Sequence, residues 1–333
     1  MLYTPAQRER GRMMHVISLL EPIRSDLEQV MRLLHTTLAG LETPLGSDLR
    51  GMVGNGKCLR PALVLLVGQL FCAPAAPFHK LAAAVEVLHT ATLIHDDLID
   101  GAALRRGHET LHTSWPAGVT VLVGDALLAQ TAAMVAELER PRILGVFAAA
   151  LRAMSIGEIA QLLSSGKARR SREDYYRRIE AKTASLCAAA TEMAAILAEV
   201  DEAQVAALRR FGWELGIAFQ IADDALDFVG DEAQLGKPAG SDLRQGLVTL
   251  PVICHMEQAG GDAAVEVVLA GQRDEAHVQA AIEAIRASGA VDAALDEARS
   301  HARQARESLA TLPDSDSRQV LLALADYAVE RRR

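Results

Sequence analysis

The sequence predicts an all-α protein built as one large helical bundle, and three observations carry that prediction. Half of the 333 residues are hydrophobic but only 4% are aromatic, so the apolar weight falls on Ala, Leu, Val and Ile. Apolar residues recur at steps of three and four, the period of a helix face. Alternating runs of Val, Ile, Thr and aromatics, which a half-buried strand needs, are absent. The length would also admit two domains of ~100–150 residues. No clear linker divides the chain, so a single domain over residues 1–333 is expected.

In chain order, a Gly-rich loop from Gly46 to Gly56 comes first. Pro61–Phe78 reads as a buried core helix followed by a turn, with Pro74 and Pro77 as breakers. Lys80–Asp100 is the next helix, and its stretch Ala82–Leu93 is apolar on most sides, as burial within a bundle requires. A polar connection from Gly101 to Pro116 carries two arginines. Val119–Leu138 is helical, and Ser164–Ser171 is a basic loop. Thr183–Val200 and Val205–Phe228 are helices, the first apolar all round over Leu186–Leu197. Gly230–Gly246 is a long glycine-rich loop, and loops of this length inside a domain are usually functional or disordered. From Asp274 onward the tail is amphipathic helix.

Thirty-four Lys and Arg against 43 Asp and Glu give a net charge of −9. Nucleic-acid binding needs a basic face, so no nucleic-acid partner is expected. An acidic substrate would need metal ions or a local cluster of cations. The cysteines are Cys58, Cys72, Cys187 and Cys254. None forms a CxxC pair, which argues against a zinc site and fits thiols of a reducing, cytoplasmic protein. The N-terminal MLYTPAQRERGRMMHV has charges where a secretory signal needs an apolar core. The longest charge-free run, Pro61–Phe78, is interrupted by Gly68, Gln69, Pro74 and Pro77, whereas a spanning helix needs ~20 mostly apolar residues. No transmembrane or targeting segment is expected.

Two segments share one acidic pattern: His95-Asp96-Asp97-Leu98-Ile99-Asp100 and Ala222-Asp223-Asp224-Ala225-Leu226-Asp227. Each sets carboxylates at i, i+1 and i+4 on an apolar helix, and i and i+4 share a face. Like charges at that spacing destabilise a helix by ~0.2–0.5 kcal/mol per pair. A compensating cation is therefore expected. Mg²⁺ fits because it takes carboxylate oxygens and shares its other positions with water and substrate phosphates. One such cluster would pass as a solvated helix end; two on apolar helices point to a site.

A phosphate ester also needs direct donors. Lys57 and Arg60 lie three apart beside glycines, Arg105-Arg106-Gly107 follows the first acidic motif, Lys182-Thr183 stands mid-chain, and Lys237 lies in the long loop. Arg suits bidentate phosphate contacts and Lys a point charge. Each alone reads as a surface cation; their value is as a set. His89 lies two helical turns before Asp96. Gln220, Asp223, Asp224 and Asp227 form one i, i+3, i+4, i+7 stripe.

These residues, with Pro61, Gly124-Asp125, Gly216-x-x-Phe219-Gln220, Gly236-Lys237-Pro238-x-Gly240-x-Asp242-Leu243 and Thr249-Leu250-Pro251, occur in the order of a known family. From about residue 50 to 255 the chain resembles the trans-isoprenyl diphosphate synthases, the polyprenyl synthetase family. The resemblance implies the class I isoprenoid synthase fold, an all-α bundle around a central cavity, usually as a homodimer. It implies head-to-tail addition of isopentenyl diphosphate to an allylic diphosphate (dimethylallyl, geranyl, farnesyl or geranylgeranyl). By that likeness Asp96, Asp97 and Asp100 would hold Mg²⁺ on the allylic diphosphate. Asp223 and Asp227 would hold a further ion, two or three in all, with Asp224 a weaker candidate. Arg105, Lys182 and Lys237 would contact the allylic diphosphate. Lys57, Arg60, His89 and Arg106 would bind isopentenyl diphosphate, and Thr183 and Gln220 would lie beside the reacting carbons. Asn55 and Cys58 depart from the family pattern, which commonly has Gly and a basic residue there.

Members of the family set product length by bulk below the first acidic motif. Ala84, Leu88 and Ala91 lie along one stripe of that helix, with Thr92 beside them. Ala91, five residues before Asp96, is where short-chain enzymes often carry an aromatic. The open floor implies a long product, about C30 to C50, for a quinone side chain; closure at Leu88 would instead give a geranylgeranyl-length product. A terpene cyclase would have no need of the Lys57, Arg60 and His89 set. A non-catalytic subunit of a heteromeric synthase typically loses acidic motifs, and both are intact here.

Overall fold

A computed structural model of the chain describes residues 19–39, 49, 58–105, 108–164, 171–229 and 239–330. The Gly46–Gly56 loop, apart from Leu49, and most of Ser164–Ser171 lie outside them. A single 3-10 turn, Glu21–Ile23, leads into α1 (Arg24–Ala39), which buries Val30, Leu34 and Leu38 at steps of four. Helix α2 (Leu59–Leu70) is buried along nearly its whole length. Helix α3 (Ala75–Asp100) starts five residues before the predicted Lys80. Pro74 caps it and Pro77 sits in its first turn, so these prolines begin a helix rather than break one. First-turn N–H groups have no helical acceptor, so proline loses nothing there. Gly101 ends α3 at φ 63°, the left-handed conformation that glycine adopts without a Cβ penalty.

The Gly101–Pro116 connection is more ordered than a loop. Strands β1 (Leu104–Arg105) and β2 (His108–Glu109) pair antiparallel, Leu104 opposite Glu109 and Arg105 opposite His108. A single helical turn, α4 (Leu111–Ser114), follows. Next come α5 (Ala117–Ala136) and α6 (Pro141–Ser164). Both are long and apolar enough to cross a membrane, although Asp125 in the first and Arg152 and Glu158 in the second keep either from being a long charge-free run. Much of their apolar surface is exposed, including Leu122 (68%) and Leu163 (82%).

Helix α7 (Arg172–Ile179) is capped by Ser171 Oγ, which accepts from the Asp174 N–H; acids fill its first turn and arginines its last, as the helix dipole favours. It runs without interruption into a π-turn, Glu180–Ala184, and then α8 (Ser185–Leu197). Helix α9 (Glu202–Val229) is the longest. The predicted loop Gly230–Gly246 is described only from residue 239, where α10 (Ser241–Gln245) replaces loop by helix. Thr249 and Pro251 open α11 (Leu250–Ala259), followed by α12 (Ala263–Leu269). The tail read as amphipathic helix is three helices, α13 (Glu275–Ala287), α14 (Ala290–Ser308) and α15 (Asp316–Glu330), broken at Gly289 and near Pro313.

Two buried clusters make the core. One joins α1, α2, α3, α5, α6, α8 and α15 with the first half of α9 and the end of α14; the other joins the second half of α9 to α7, α10–α13 and the first part of α14. Helix α9 thus threads both, packed along α8 and α14. Its approach to the π-turn depends on Gly216, where a Cβ would fall 2.6 Å from the Cα of Ala184. No side chain can share that space, and the backbones would have to separate. Overpacking of this kind costs about 1–3 kcal/mol. Gly216→Ala should therefore lower stability by about that amount, read as a lower urea midpoint with an unchanged m-value.

Candidate functional site

The acidic ends of α3 and α9 meet at the π-turn between α7 and α8. On α3 the three carboxylates are not equivalent. Asp96 is half-buried, Asp97 is 1% exposed and Asp100 is exposed. Asp97 lies about 100° round the helix from Asp96, which turns it inward. There its Oδ1 accepts from Arg105 Nε at 2.6 Å, and Arg105 Nη2 lies at the same distance. The β1–β2 hairpin is what folds Arg105 back onto the helix. Burial raises the Asp97 pKa, Arg105 partly offsets it, and Asp96 and Asp100 push it further up. Asp97 Oδ2 is buried with no hydrogen-bond partner among the described residues.

Lys182 Nζ lies 3.1 Å from Asp96 Oδ2 and donates to Glu158 Oε2 at 2.9 Å. Burial works against its charge, but Asp96 and Glu158 outweigh it and hold the ammonium above its usual pKa. Gly157 permits this geometry, since a Cβ there would fall 2.5 Å from the Ala181 Cβ. Gly124 does the same beside the first motif. The His95 ring occupies the space its Cβ would fill, and His95 Nε2 lies 3.1 Å from the Val121 carbonyl and 3.6 Å from Asp125 Oδ1.

Thr183, the next residue, reaches the other acidic helix. Its hydroxyl donates to Gln220 Oε1 at 2.7 Å, and Gln220 Nε2 donates to Asp224 Oδ1 at 2.8 Å. Tyr175 on α7 donates its hydroxyl to Asp224 Oδ2, also at 2.8 Å. Asp224 is 5% exposed. Burial, with Asp242 nearby, pushes its pKa up to about 7 against the pull of the Gln220 and Tyr175 hydrogen bonds. Asp223 is half-buried. Asp227 is buried and its Oδ2 accepts from the Asp242 backbone N–H at 3.0 Å, tying the end of α9 to α10. The predicted stripe therefore splits. Asp223 keeps the more open position, while Asp224 and Asp227 each take up internal hydrogen bonds.

The structure brings together Asp96, Lys182, Thr183, Gln220 and Asp224, and separately Asp97 with Arg105. Arg60 and His89 stand half-buried on the packed helices α2 and α3. Lys57, Arg106 and Lys237 lie outside the described residues. Ala84, Leu88 and Ala91 are fully buried in the core below the first motif; Thr92 is half-buried and donates its hydroxyl to the His89 carbonyl. A surface cavity of about 450 Å³ opens elsewhere, lined by Arg142, Glu192, Glu202, Arg209 and Trp213, and none of the predicted site residues borders it. Sequence reasoning missed Glu158 and Tyr175. Glu158 is an isolated acid in the apolar run Ile156–Leu163, and Tyr175 is seven residues, two turns, before Lys182.

Among the described residues no three His, Cys, Asp or Glu side chains converge into a ready-made metal cage. The all-oxygen donor set and the unpartnered Asp97 Oδ2 fit a hard divalent ion. Deprotonating Asp224 removes a proton from a buried group. Its folded pKa lies above the usual carboxylate value, so its stabilising contribution is full below pH ~4 and is lost as pH rises through about 7. Asp224→Asn should flatten that decline in urea midpoints measured between pH 4 and 8.

The polyprenyl synthetase family model matches residues 46–285. Heptaprenyl diphosphate synthase component 2 of Geobacillus stearothermophilus is 36% identical over 310 residues, 93% of this chain and 97% of that protein. Nonaprenyl diphosphate synthase of Mycobacterium tuberculosis is 34% identical over 313 residues, 93% of each. A polyprenyl synthase from Caulobacter crescentus CB15, crystallised with calcium and isoprenyl diphosphate, superposes with a TM-score of 0.89 at 40% identity, covering 96% of this chain and 98% of that one.

Proposed function

Because this chain belongs to the polyprenyl synthetase family, we propose that its two acidic helix ends hold an allylic diphosphate through Mg²⁺ while isopentenyl diphosphate enters beside it. The protein is a prenyltransferase, a trans-polyprenyl diphosphate synthase with a long-chain product. One observation carries the site assignment: the adjacent residues Lys182 and Thr183 reach opposite ways, Lys182 to Asp96 on α3 and Thr183 through Gln220 to Asp224 on α9.

Asp96, Asp97 and Asp100 are the metal ligands of the first motif in this reading, and Asp223 and Asp227 those of the second. Two or three Mg²⁺, bound with the diphosphate, would supply positive charge to the leaving group as the allylic C–O bond breaks. Lys182, Arg105 and Lys237 add cationic donors to the same oxygens, where negative charge develops. Lys57, Arg60, His89 and Arg106 hold isopentenyl diphosphate. Thr183 and Gln220 face the reacting carbons, and the apolar walls exclude water that would quench the allylic cation. The double bond of isopentenyl diphosphate supplies the electron pair for the new carbon–carbon bond, and the proton then lost from the adjacent carbon goes to the departing diphosphate, so the protein needs neither a nucleophile nor a base of its own. Ala84 and Ala91, small where a bulky side chain would block a growing chain, support the long product.

The exposed apolar faces of α5 and α6, with Val121, Leu122, Ile156, Ile159 and Leu163, support a homodimer. A second reading, a subunit requiring an unlike partner, rests on the relative named component 2. The purified chain alone separates the two. With Mg²⁺, farnesyl diphosphate and labelled isopentenyl diphosphate it should make chains of six or more isoprene units, and EDTA should stop it. Asp96→Asn should lower kcat about 10²–10³-fold, the usual loss for one charge-stabilising group. Ala91→Phe should shorten the product. No turnover without an added partner would favour the heteromeric reading.

A further inference from the structure

Tyr175 lies outside every motif the reaction uses, yet it ends a hydrogen-bond chain that reaches the reacting centre. Its hydroxyl donates to Asp224 Oδ2 at 2.8 Å. Asp224 Oδ1 accepts from Gln220 Nε2 at 2.8 Å, and Gln220 Oε1 accepts from Thr183 Oγ1 at 2.7 Å. Tyr175 is 2% exposed and Asp224 5%, so water does not compete for these bonds.

The chain has one direction. Asp224 accepts at both oxygens, so it takes the NH₂ end of Gln220 and turns the amide oxygen toward Thr183. That oxygen then takes the single hydroxyl proton of Thr183. What remains on Thr183 Oγ is its lone pairs, an acceptor surface suited to a developing allylic cation. With the Tyr175 hydroxyl on Oδ2, the carboxylate is pinned at both oxygens and cannot swing toward the neighbouring Asp223 or away from Gln220.

We infer that Tyr175 is a positioning residue for prenyl transfer, acting through Asp224 and Gln220 to fix the hydroxyl orientation of Thr183. The inference rests on the prenyl-transfer reading above. It also assigns Asp224 an orienting role rather than a metal-binding one, which separates it from Asp223 one residue earlier.

Tyr175→Phe keeps the buried ring and removes only the hydroxyl. With the full chain, Mg²⁺, farnesyl diphosphate and isopentenyl diphosphate, it should lower kcat about 10-fold, with KM for isopentenyl diphosphate within about twofold of the parent. The decisive readout is the double-mutant cycle. In a Gln220→Ala background the relay is already cut, so adding Tyr175→Phe should change kcat less than about twofold. Asp224→Ala removes both acceptors at the middle of the same relay and should show the same insensitivity once Gln220 is gone. A parent-like kcat for Tyr175→Phe overturns the inference. So does an equal loss in both backgrounds, which would make the hydroxyl a packing contribution. A parent chain with no turnover under any primer, even with an added partner subunit, removes the prenyl-transfer reading and this inference together.

Discussion

Carboxylates gathered at the ends of two apolar helices repel one another, and the rest of the molecule is arranged to offset that repulsion. Two unit charges 4 Å apart interact by about 4 kcal/mol at an effective dielectric of 20. Lys182 and Arg105 answer the first motif directly, at 3.1 Å from Asp96 and 2.6 Å from Asp97. The second motif is answered differently, by dipoles: Tyr175 and Gln220 on Asp224, and a backbone N–H on Asp227. The side with direct cations is the one where a diphosphate and its metal ions would exchange partners with them.

The π-turn is the element that makes both answers possible. An α-helix spaces adjacent residues about 100° apart, and the π-turn widens the local register where Lys182 and Thr183 point to different helices. It can sit there only because Gly157 and Gly216 let α6 and α9 approach its backbone without a Cβ between them. Sequence, packing and chemistry therefore meet at three places along the chain: small residues at two helix crossings, and an adjacent Lys-Thr pair between them.

Much of this was legible in the sequence. The helices follow from apolar spacing, and the acidic motifs, Lys182-Thr183 and Gln220 announce themselves by pattern. Individual carboxylate roles were not legible, because their difference is rotational. Asp97 and Asp224 turn inward while Asp96 and Asp223 stay more open, and residue type is the same in all four. Glu158 and Tyr175 escaped because their partners lie 24 and 49 residues away, and no local spacing links them. Pro77 misled because proline breaks a helix interior but is harmless in a first turn. The Gly101–Pro116 hairpin hid because a pair of two-residue strands has no periodicity to detect.

The central claim is that the two acidic helix ends form one diphosphate site whose anion is bridged to the carboxylates by divalent metal. Calorimetric titration of the purified chain with farnesyl diphosphate tests it most directly, with Mg²⁺ and with EDTA, for the parent and for Asp96→Asn and Asp223→Asn. The account predicts binding that requires Mg²⁺ and weakens in both variants, one on each helix. Equal affinity with and without Mg²⁺, or binding indifferent to both substitutions, would contradict it.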